Sequence, residues 1–179
     1  MKDQLFIENK LRIRRMRQAD YPIMMKWLND PHVSKYYEGA PISLEQVIDK
    51  YKPRIEDRHY VKPCIVEYQN NPIGYIQYYQ IPKSELEKYD YSSAQLIFGI
   101  DQFIGVTELW GKGFGTSMIR MILNYLMISK GAAMVLLDVK KTNTRAIASY
   151  EKCGFQIVKS LDADSYLMEW GMKKEEIEK

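Results

Sequence analysis

Apolar residues early in the chain recur every three or four positions, which is the spacing of an amphipathic helix. The segment QADYPIMMKWLND, at 18–30, predicts a helix with Asp20 as its N-cap. The segment SLEQVIDKYKPRI, at 43–55, predicts another helix that begins at the N-cap Ser43. Between these two segments, PHVSKYY predicts a short helix at 31–37.

Other segments carry apolar residues at every second position or in short continuous runs, which is typical of β-strands. The two strands of a hairpin are predicted at 60–68 and 73–81, joined by a tight turn. A polar segment follows at about 82–92. Further strands are predicted at 11–16, 94–103, 133–139, 155–161 and 165–172, and further helices at about 113–129 and 143–153.

The resulting element order is β-α-α-β-β-β-α-β-α-β-β, which predicts a mixed α/β fold. Consecutive strands favour antiparallel pairing, whereas a strand-helix-strand unit in the second half of the chain needs a parallel crossover. We therefore expect a mixed, mostly antiparallel central sheet flanked by helices. The length of 179 residues is typical of one domain, which would span 1–179 with its core at about 11–171.

Composition narrows the choice of partners. A net charge of +3, with acidic and basic residues interspersed, argues against nucleic-acid binding. The basic run LRIRRMRQ, at 11–18, is interpreted as a strand whose arginines lie on the solvated face. The N-terminal segment lacks the apolar core of a signal peptide, and no apolar run reaches the roughly 20 residues that span a bilayer. These patterns predict no membrane partner.

Cysteine usage bears on metal binding and on the cellular compartment. The two cysteines, Cys64 and Cys153, form no CxxC motif or Cys/His cluster, so no metal site is predicted. We expect both residues to be thiols in a reducing, cytoplasmic environment.

The segment GKGFGT, at 111–116, alternates glycine with other residues immediately before a helical pattern. Its spacing matches neither a Walker A loop nor a dinucleotide-binding loop. Glycines still let backbone N–H groups approach an anion at the positive end of a helix, and Lys112 adds a positive charge. A flexible loop without a ligand is the alternative at this point.

The segment NTRAIASYEKCGF, at 143–155, predicts a helix that ends at Gly154 before a strand. Asn143, Tyr150 and Glu151 lie along one side of this helix. Asn143 can cap the helix and donate to a ligand amide, and Tyr150 can present its hydroxyl near the C-terminal end. The alternatives are that Asn143 is only a cap and that Tyr150 only packs in the core.

These two segments together resemble the acetyl-CoA-binding motifs of the GNAT superfamily of N-acetyltransferases, whose loop usually reads Gln/Arg-x-x-Gly-x-Gly/Ala. Gly113 and Gly115 match its glycines, whereas Trp110 stands where Gln or Arg is usual. The resemblance implies the GNAT fold and acetyl-CoA as a cosubstrate, without a metal. It also implies cofactor-binding positions at Gln102, Phe103, Gly111, Lys112, Gly113, Phe114, Gly115, Thr116, Asn143 and Ala146.

Further segments, among them MMKWLND, PIGYIQYY, FGIDQFIG and LLDVKKTNTRAIASYEKCGF, resemble aminoglycoside 6'-N-acetyltransferases over about 12–169. In that family the aspartate matched by Asp101 lies at the substrate amine and is proposed as the catalytic base. Asp138 matches a second aspartate that contacts the aminoglycoside, although Val139 replaces the usual proline. The resemblance also implies acceptor-site positions at Trp27, Tyr37 and Tyr166.

An amine attacks a thioester only in its neutral form, so this reaction suits a carboxylate that attracts the ammonium and accepts its proton. Asp101 fits both tasks, but its ordinary pKa makes it a weak base, so positioning of the amine is an equal alternative. The strand around Gln102 and Phe103 can supply an N–H donor to the oxygen of the tetrahedral intermediate. Tyr150 can protonate the departing thiolate, and Glu151 either borders the acceptor cleft or faces solvent.

The predicted function is therefore acetyl transfer from acetyl-CoA to the 6'-amino group of an aminoglycoside, a polycationic amine, which confers antibiotic resistance. Two alternatives stay open. One is a GNAT enzyme for another amine, such as a siderophore hydroxylamine, a polyamine or a protein N-terminus. The other is a CoA-binding sensor without catalysis. An acceptor site for a polycation is expected to be rich in carboxylates, and both a monomer and a homodimer are compatible with the sequence.

Overall fold

The structure, a computed structural model, describes residues 4–8, 10–37, 41–87, 90–91 and 95–171. The strands are β1 (Gln4–Glu8), β2 (Leu11–Arg15), β3 (Lys62–Tyr68), β4 (Asn71–Gln80), β5 (Ile97–Ile104), β6 (Met134–Lys140), β7 (Gln156–Ser160) and β8 (Ser165–Gly171). The α-helices are α1 (Tyr21–Leu28), α2 (Pro31–Ser34), α3 (Leu44–Ile55), α4 (Lys83–Leu86), α5 (Phe114–Lys130) and α6 (Thr144–Glu151). Short 3-10 turns lie at Gln18–Asp20 and Thr107–Leu109.

The predicted helices and strands are confirmed in kind, and their boundaries shift by only a few residues. Two elements are not predicted from the sequence, β1 and the single-turn helix α4. Elements of five and four residues give only a weak periodic signal, and α4 lies within the segment that the sequence assigns to a polar connection. Leu86 is the buried residue of α4, and a single apolar position does not distinguish this segment from a polar connection in the sequence. Residues 88–89, 92–94 and 172, which the sequence assigns to the polar segment and to two strands, lie outside the described residues.

The first compact unit is formed by the described residues within 1–78 and 102–118. Its strands follow the order β1-β2-β3-β4, and each neighbouring pair is antiparallel. In the predicted hairpin of β3 and β4, Gln69 and Asn70 both have positive φ, 50° and 64°, which is typical of a two-residue type I′ turn. The apolar core of this unit contains Met16, Tyr21, Met24, Trp27, Leu28, Val47, Tyr51, Ile65 and Tyr75.

The N-cap predictions for α1 and α3 have different outcomes. Ser43 caps α3 as predicted, because its hydroxyl accepts from the Gln46 N–H at 3.2 Å while the Gln46 amide oxygen accepts from the Ser43 N–H at 2.8 Å. The prediction for Asp20 is wrong, since its side chain makes no capping bond to α1. Its carboxylate instead accepts from the Arg17 N–H at 2.7 Å and binds the Arg14 guanidinium.

Arg14 is the centre of a buried ionic network in the first unit, so the prediction of solvated arginines is wrong at this position. The residue is 8% exposed and donates to both oxygens of Asp20 at 2.8 Å and to Glu67 at 2.7 Å. Glu67 is also buried and accepts from Arg12 as well. The bond to Asp20, followed by the bond to Glu67, raises the pKa of Arg14. Buried charges are tolerated only when they are paired, and this network joins β2 to β3 and to the start of α1.

The second compact unit is formed by the described residues within 79–101 and 119–179. Its strands follow the order β5-β6-β8-β7. β5 and β6 are parallel and α5 connects them in the chain, as the predicted crossover requires, whereas the other pairs are antiparallel. The core of this unit gathers Ile81, Leu86, Ile97, Leu136 and Leu167. The prediction of a mixed, mostly antiparallel sheet with flanking helices is confirmed.

Both cysteines are free thiols, as predicted. Burial raises the pKa of Cys64 to about 12. Cys153 is only partly buried, and its pKa is also raised, chiefly by burial. Within the described part of the chain, none of the helices combines the length and the hydropathy needed to cross a bilayer.

We expect Glu67→Gln to lower the free energy of unfolding by about 3 kcal/mol, because it leaves the buried Arg14 with one carboxylate fewer. Urea titration at pH 7 measures this change. The control is Glu56→Gln, which removes an exposed partner of Arg58 and is expected to change the stability by less than about 0.5 kcal/mol. Equal effects of the two substitutions would show that the buried network contributes nothing specific.

We expect a maleimide reagent at pH 8 to label Cys153 in the folded protein and Cys64 only after unfolding in urea. The buried thiol of Cys64 is inaccessible and almost entirely protonated at this pH. Mass spectrometry of tryptic peptides measures the two sites separately, so Cys153 is the internal control. Equal labelling rates of the two thiols in the native protein would contradict the burial of Cys64.

Candidate active site

The glycine-rich loop leads from a 3-10 turn directly into α5. Gly111 and Gly113 have φ values of 76° and 85°, in the left-handed region where residues with a Cβ are strained. The helix begins at Phe114, and the Gly113 carbonyl accepts from the Ser117 N–H at 3.0 Å. The N–H groups of the first helical turn have no acceptor within the helix. The glycine loop therefore ends where the N–H groups of the first turn of α5 and the positive end of its helix dipole lie together.

The space beside this loop is open on the side where the glycines lack side chains. A Cβ atom built on Gly111, Gly113 or Gly115 meets no other protein atom within 4 Å. Lys112 is exposed at the same loop. Gly115 has no positive φ, so neither backbone conformation nor protein packing requires glycine there. Open space, backbone donors and a lysine together suit an anionic group such as a pyrophosphate.

Aromatic residues at both ends of the glycine loop contact other segments, one through a ring contact and one through a hydrogen bond. At its end, the Phe114 ring meets the Tyr68 ring edge-on, with centroids 4.8 Å apart. At its start, the Trp110 indole N–H donates to the Ile104 carbonyl at 2.8 Å. The sequence alone left Trp110 unexplained, because it departs from the resembled motif. The signal that identifies its role is a hydrogen bond to the backbone, which no sequence pattern displays.

Phe103, at the end of β5, is the centre of an aromatic group in the first unit. Its ring stacks on Tyr75 with centroids 5.5 Å apart and meets Tyr37 edge-on at 4.8 Å and Trp27 at 6.1 Å. Trp27 is 3% exposed, whereas Tyr37 and Phe103 are partly exposed. The structure thus brings three predicted site residues together, and of these Trp27 is buried. Gln102, directly before Phe103, is also partly exposed.

Tyr75 is a member of this aromatic group that sequence reasoning missed. It is fully buried, and its hydroxyl donates to the Gln77 side chain at 2.7 Å. Gln77 also accepts from Arg54 at 2.8 Å. Burial raises the pKa of Tyr75, so this hydroxyl is a neutral structural donor. The alternation of β4 could have identified Tyr75 as a core residue, but it gives no sign that the Phe103 ring stacks on it.

The strand register of the second unit places several carboxylates on one face of the sheet. In this register Gly99 pairs with Leu136, and Leu136 pairs with Glu169. Side chains of paired residues and of every second residue share a face. Asp101 therefore lies on the same face as Glu169, and so does the exposed Asp138. Asp101 is partly exposed, so this face has two predicted aspartates and a glutamate that the sequence analysis missed.

Glu169 is held by a tyrosine from the segment before β5. The Tyr91 hydroxyl donates to the Glu169 carboxylate at 2.7 Å. Burial, followed by this bond, raises the pKa of Tyr91, so the phenol stays protonated as a donor. Sequence spacing offers no signal for this pair, because its members are 78 positions apart.

Tyr166 is not brought together with the aspartates. It pairs with Val139 in the register of β6 and β8, so it lies on the opposite face from Asp138. The Lys141 ammonium lies 5.0 Å from the centre of its ring, a cation–π distance. The structure therefore separates Tyr166 from the other predicted acceptor residue of these strands.

Helix α6 has the predicted residues at its two ends. The Asn143 carboxamide oxygen accepts from the Ala146 N–H at 3.3 Å, which confirms the predicted cap. The NH₂ group of this side chain is not used by the cap and can donate to a ligand. At the C-terminal end Tyr150 is 7% exposed and the centre of its ring lies 5.9 Å from that of Phe155, whereas Glu151 is exposed.

No group of three or more His, Cys, Asp or Glu side chains that could hold a metal occurs among the described residues.

Sequence and structure comparisons place this geometry among known proteins. The family described as the acetyltransferase (GNAT) domain matches residues 17–163. Aminoglycoside N(6')-acetyltransferase type 1 of Klebsiella pneumoniae is 30% identical over 146 residues, which cover 80% of this chain and 73% of that protein. Spermine/spermidine N(1)-acetyltransferase of Bacillus subtilis is 26% identical over 137 residues, covering 74% of this chain and 82% of that protein.

A solved structure agrees with the sequence relatives. The complex of the aminoglycoside acetyltransferase AAC(6')-Ib with ribostamycin and coenzyme A has a TM-score of 0.79 and 27% identity, covering 96% of this chain and 97% of that chain. The family match extends over most of the 179 residues and contains the glycine loop, both aspartates and α6. This chain therefore belongs to the GNAT family of acetyltransferases.

Proposed function

We propose that this protein transfers an acetyl group from acetyl-CoA to the 6'-amino group of an aminoglycoside in the cytoplasm and so confers resistance to the antibiotic. The observation that carries the proposal is the shared face of Asp101, Asp138 and Glu169, since several carboxylates on one face attract a polycationic amine. The 30% identical relative from Klebsiella pneumoniae, named for this reaction, supports the same acceptor.

The glycine loop suits the pyrophosphate of acetyl-CoA. Its open side, the backbone donors and the exposed Lys112 are the features that an anion of this size needs. When bound, acetyl-CoA supplies an activated acetyl group. We assign its binding to backbone and side-chain groups of Gln102, Phe103, Gly111, Lys112, Gly113, Phe114, Gly115, Thr116, Asn143 and Ala146.

Asp101 acts on the amine in this proposal. Its carboxylate attracts the substrate ammonium and accepts one proton, directly or through a water molecule, which leaves a neutral nitrogen nucleophile. The C–N bond forms first, and backbone N–H groups near Gln102 and Phe103 stabilise the negative charge that develops on the acetyl oxygen. The nitrogen then releases its second proton to water as the C–S bond breaks. The Tyr150 hydroxyl gives its proton to the departing thiolate and regains one from solvent.

The remaining predicted residues contribute to the acceptor site in different ways. Asp138 and Glu151 are exposed and can attract further amino groups of the substrate. Tyr37 can pack against a sugar ring, whereas Trp27 is buried against Phe103. Tyr166 lies on the other face from Asp138, so we assign it no contact with a sugar ring that Asp138 binds.

A second candidate function is acetylation of a polyamine. The 26% identical relative from Bacillus subtilis, named for spermine and spermidine, favours it. A polyamine is also a polycation, so the same carboxylates would attract it. The two substrates differ in shape, because an aminoglycoside presents flat sugar faces to aromatic rings and a polyamine presents only a flexible methylene chain.

We expect thiol release from acetyl-CoA in the presence of kanamycin or tobramycin, and little release with spermidine or with an aminoglycoside that bears a 6'-hydroxyl. Asp101→Asn is expected to lower kcat/KM by about a hundredfold or more, because it removes the proton acceptor. Asp49→Asn, on the exposed surface of α3, is the matched control.

Three outcomes of this assay contradict the proposal. Faster turnover of spermidine than of any aminoglycoside would favour the polyamine function. CoA binding without thiol release on any amine would favour a sensor. Wild-type rates for Asp101→Asn would show that Asp101 neither accepts the proton nor positions the amine.

We expect Gly115→Leu to raise the Kd for CoA on the order of tenfold or more, because the new side chain fills the open space beside the loop. The fold is expected to keep its melting temperature, since leucine favours a helix more than glycine does. Calorimetric titration measures the Kd, and Asn124→Leu on the exposed side of α5 is the control. Unchanged affinity in Gly115→Leu would exclude a ligand from this space.

A further inference from the structure

Trp110 contacts two parts of the first unit that the proposed reaction uses for different substrates. We propose that Trp110 is a positioning residue that couples the glycine loop to helix α2 and thereby makes acceptor affinity depend on bound CoA. The inference rests on the proposed function, because that proposal assigns the glycine loop to CoA and Tyr37, which follows α2, to the acceptor.

The first contact fixes the start of the loop to the end of β5. The Trp110 indole donates to the Ile104 carbonyl at 2.8 Å, and its backbone N–H donates to the Thr107 carbonyl at 3.0 Å. The chain after Ile104 is itself held, because the N–H groups of the next two residues donate to the Ile73 carbonyl at 2.9 and 3.2 Å. Trp110 is thus hydrogen-bonded to a segment that β4 holds, and it directly precedes Gly111, which has a positive φ.

The second contact joins the same indole to α2. The His32 ring meets the Trp110 ring edge-on, with centroids 6.3 Å apart and an interplanar angle of 83°. His32 is held in place by Asp30, whose carboxylate accepts from the His32 backbone N–H at 2.8 Å. A displacement of the indole would therefore change a contact of α2, a short helix whose N-terminal end is capped.

Helix α2 also links Trp110 and His32 to the aromatic group around Phe103. The Val33 carbonyl accepts from the Tyr37 N–H at 3.2 Å, which ties Tyr37 to the helix. The Tyr37 ring in turn lies 4.8 Å from Phe103. Two adjacent residues of α2 thus make the two contacts: the His32 ring meets Trp110 at the start of the glycine loop, and the Val33 carbonyl binds Tyr37, which is proposed to pack against the acceptor.

The indole is suited to positioning rather than to direct anion binding. The resembled motif has Gln or Arg here, side chains that can donate to a phosphate. The Trp110 N–H is neutral, and it is used by the Ile104 carbonyl. Its effect on CoA must therefore pass through the conformation of the loop. By thermodynamic reciprocity, any effect of CoA on the acceptor through this path equals the effect of the acceptor on CoA.

The first test is calorimetric titration of the full chain with CoA. Trp110→Phe keeps a ring beside His32 but removes the indole donor, and we expect the Kd for CoA to rise about five- to tenfold. With an acceptor present, kcat is expected to change by less than about twofold, since the bond acts on binding. Trp170→Phe is the matched control, because Trp170 lies on β8 in the second unit, and it is expected to leave the Kd unchanged.

The second test measures coupling with a variant that does not threaten the fold. His32 has a side chain that is 73% exposed, so His32→Ala is expected to keep the melting temperature. We expect kanamycin to bind the wild type more tightly when CoA is present. The coupling ratio is the Kd for kanamycin without CoA divided by the Kd with CoA, and we expect it to approach one in His32→Ala. The Kd for CoA alone is expected to stay within about twofold of the wild type.

The outcomes separate this inference from the proposed function. Wild-type CoA affinity in Trp110→Phe, or an unchanged coupling ratio in His32→Ala, would overturn the coupling role while leaving the acetyltransferase proposal intact. Failure of the wild type to bind CoA would overturn both. Equal losses in Trp110→Phe and Trp170→Phe would point to a general loss of packing and would also overturn the inference.

Discussion

Aromatic packing at the end of β5 is the constraint on which the proposed chemistry of the first unit depends. Phe103 stacks on the buried Tyr75 and meets Tyr37 and Trp27 edge-on. Such ring contacts add directional attraction to the large apolar area that they bury. The next residue in the chain uses its carbonyl to hold Trp110, from which the glycine loop departs. The backbone donors proposed for acetyl-CoA therefore start from a strand end that packing holds in place.

The positions of the charges matter more here than their sum. A net charge of +3 predicts no attraction for a polycation, yet the register of the second unit places Asp101, Asp138 and Glu169 on one face. In the first unit, Arg14 is neutralised by a buried network and contributes little outside it. Salt screens charges beyond about 8–10 Å, so a substrate responds to the nearest side chains. An acidic acceptor face is thus compatible with a protein that is basic overall.

The prediction of individual residues succeeded where the decisive partner is close in the chain. Ser43 and Asn143 cap their helices because each needs only an N–H group three residues ahead. Asp20 has the same local pattern but makes no capping bond to α1, since its backbone is helical rather than extended and its carboxylate binds Arg14 and the Arg17 N–H. The burial of Arg14 was not predictable, because its other partner, Glu67, lies 53 positions away.

The sequence by itself determined the kinds and the order of all elements except β1, α4 and the 3-10 turns, as well as the glycine spacing and the resemblance to acetyltransferases. These properties depend on local periodicity and on short motifs, which are visible in a few consecutive residues. Only the tertiary structure decided that Trp27 is buried against Phe103, that Tyr166 and Asp138 lie on opposite faces, and that Trp110 binds a backbone carbonyl. These outcomes depend on strand register and on packing between distant segments, and a shift of one residue in register would move each side chain of a strand to the other face.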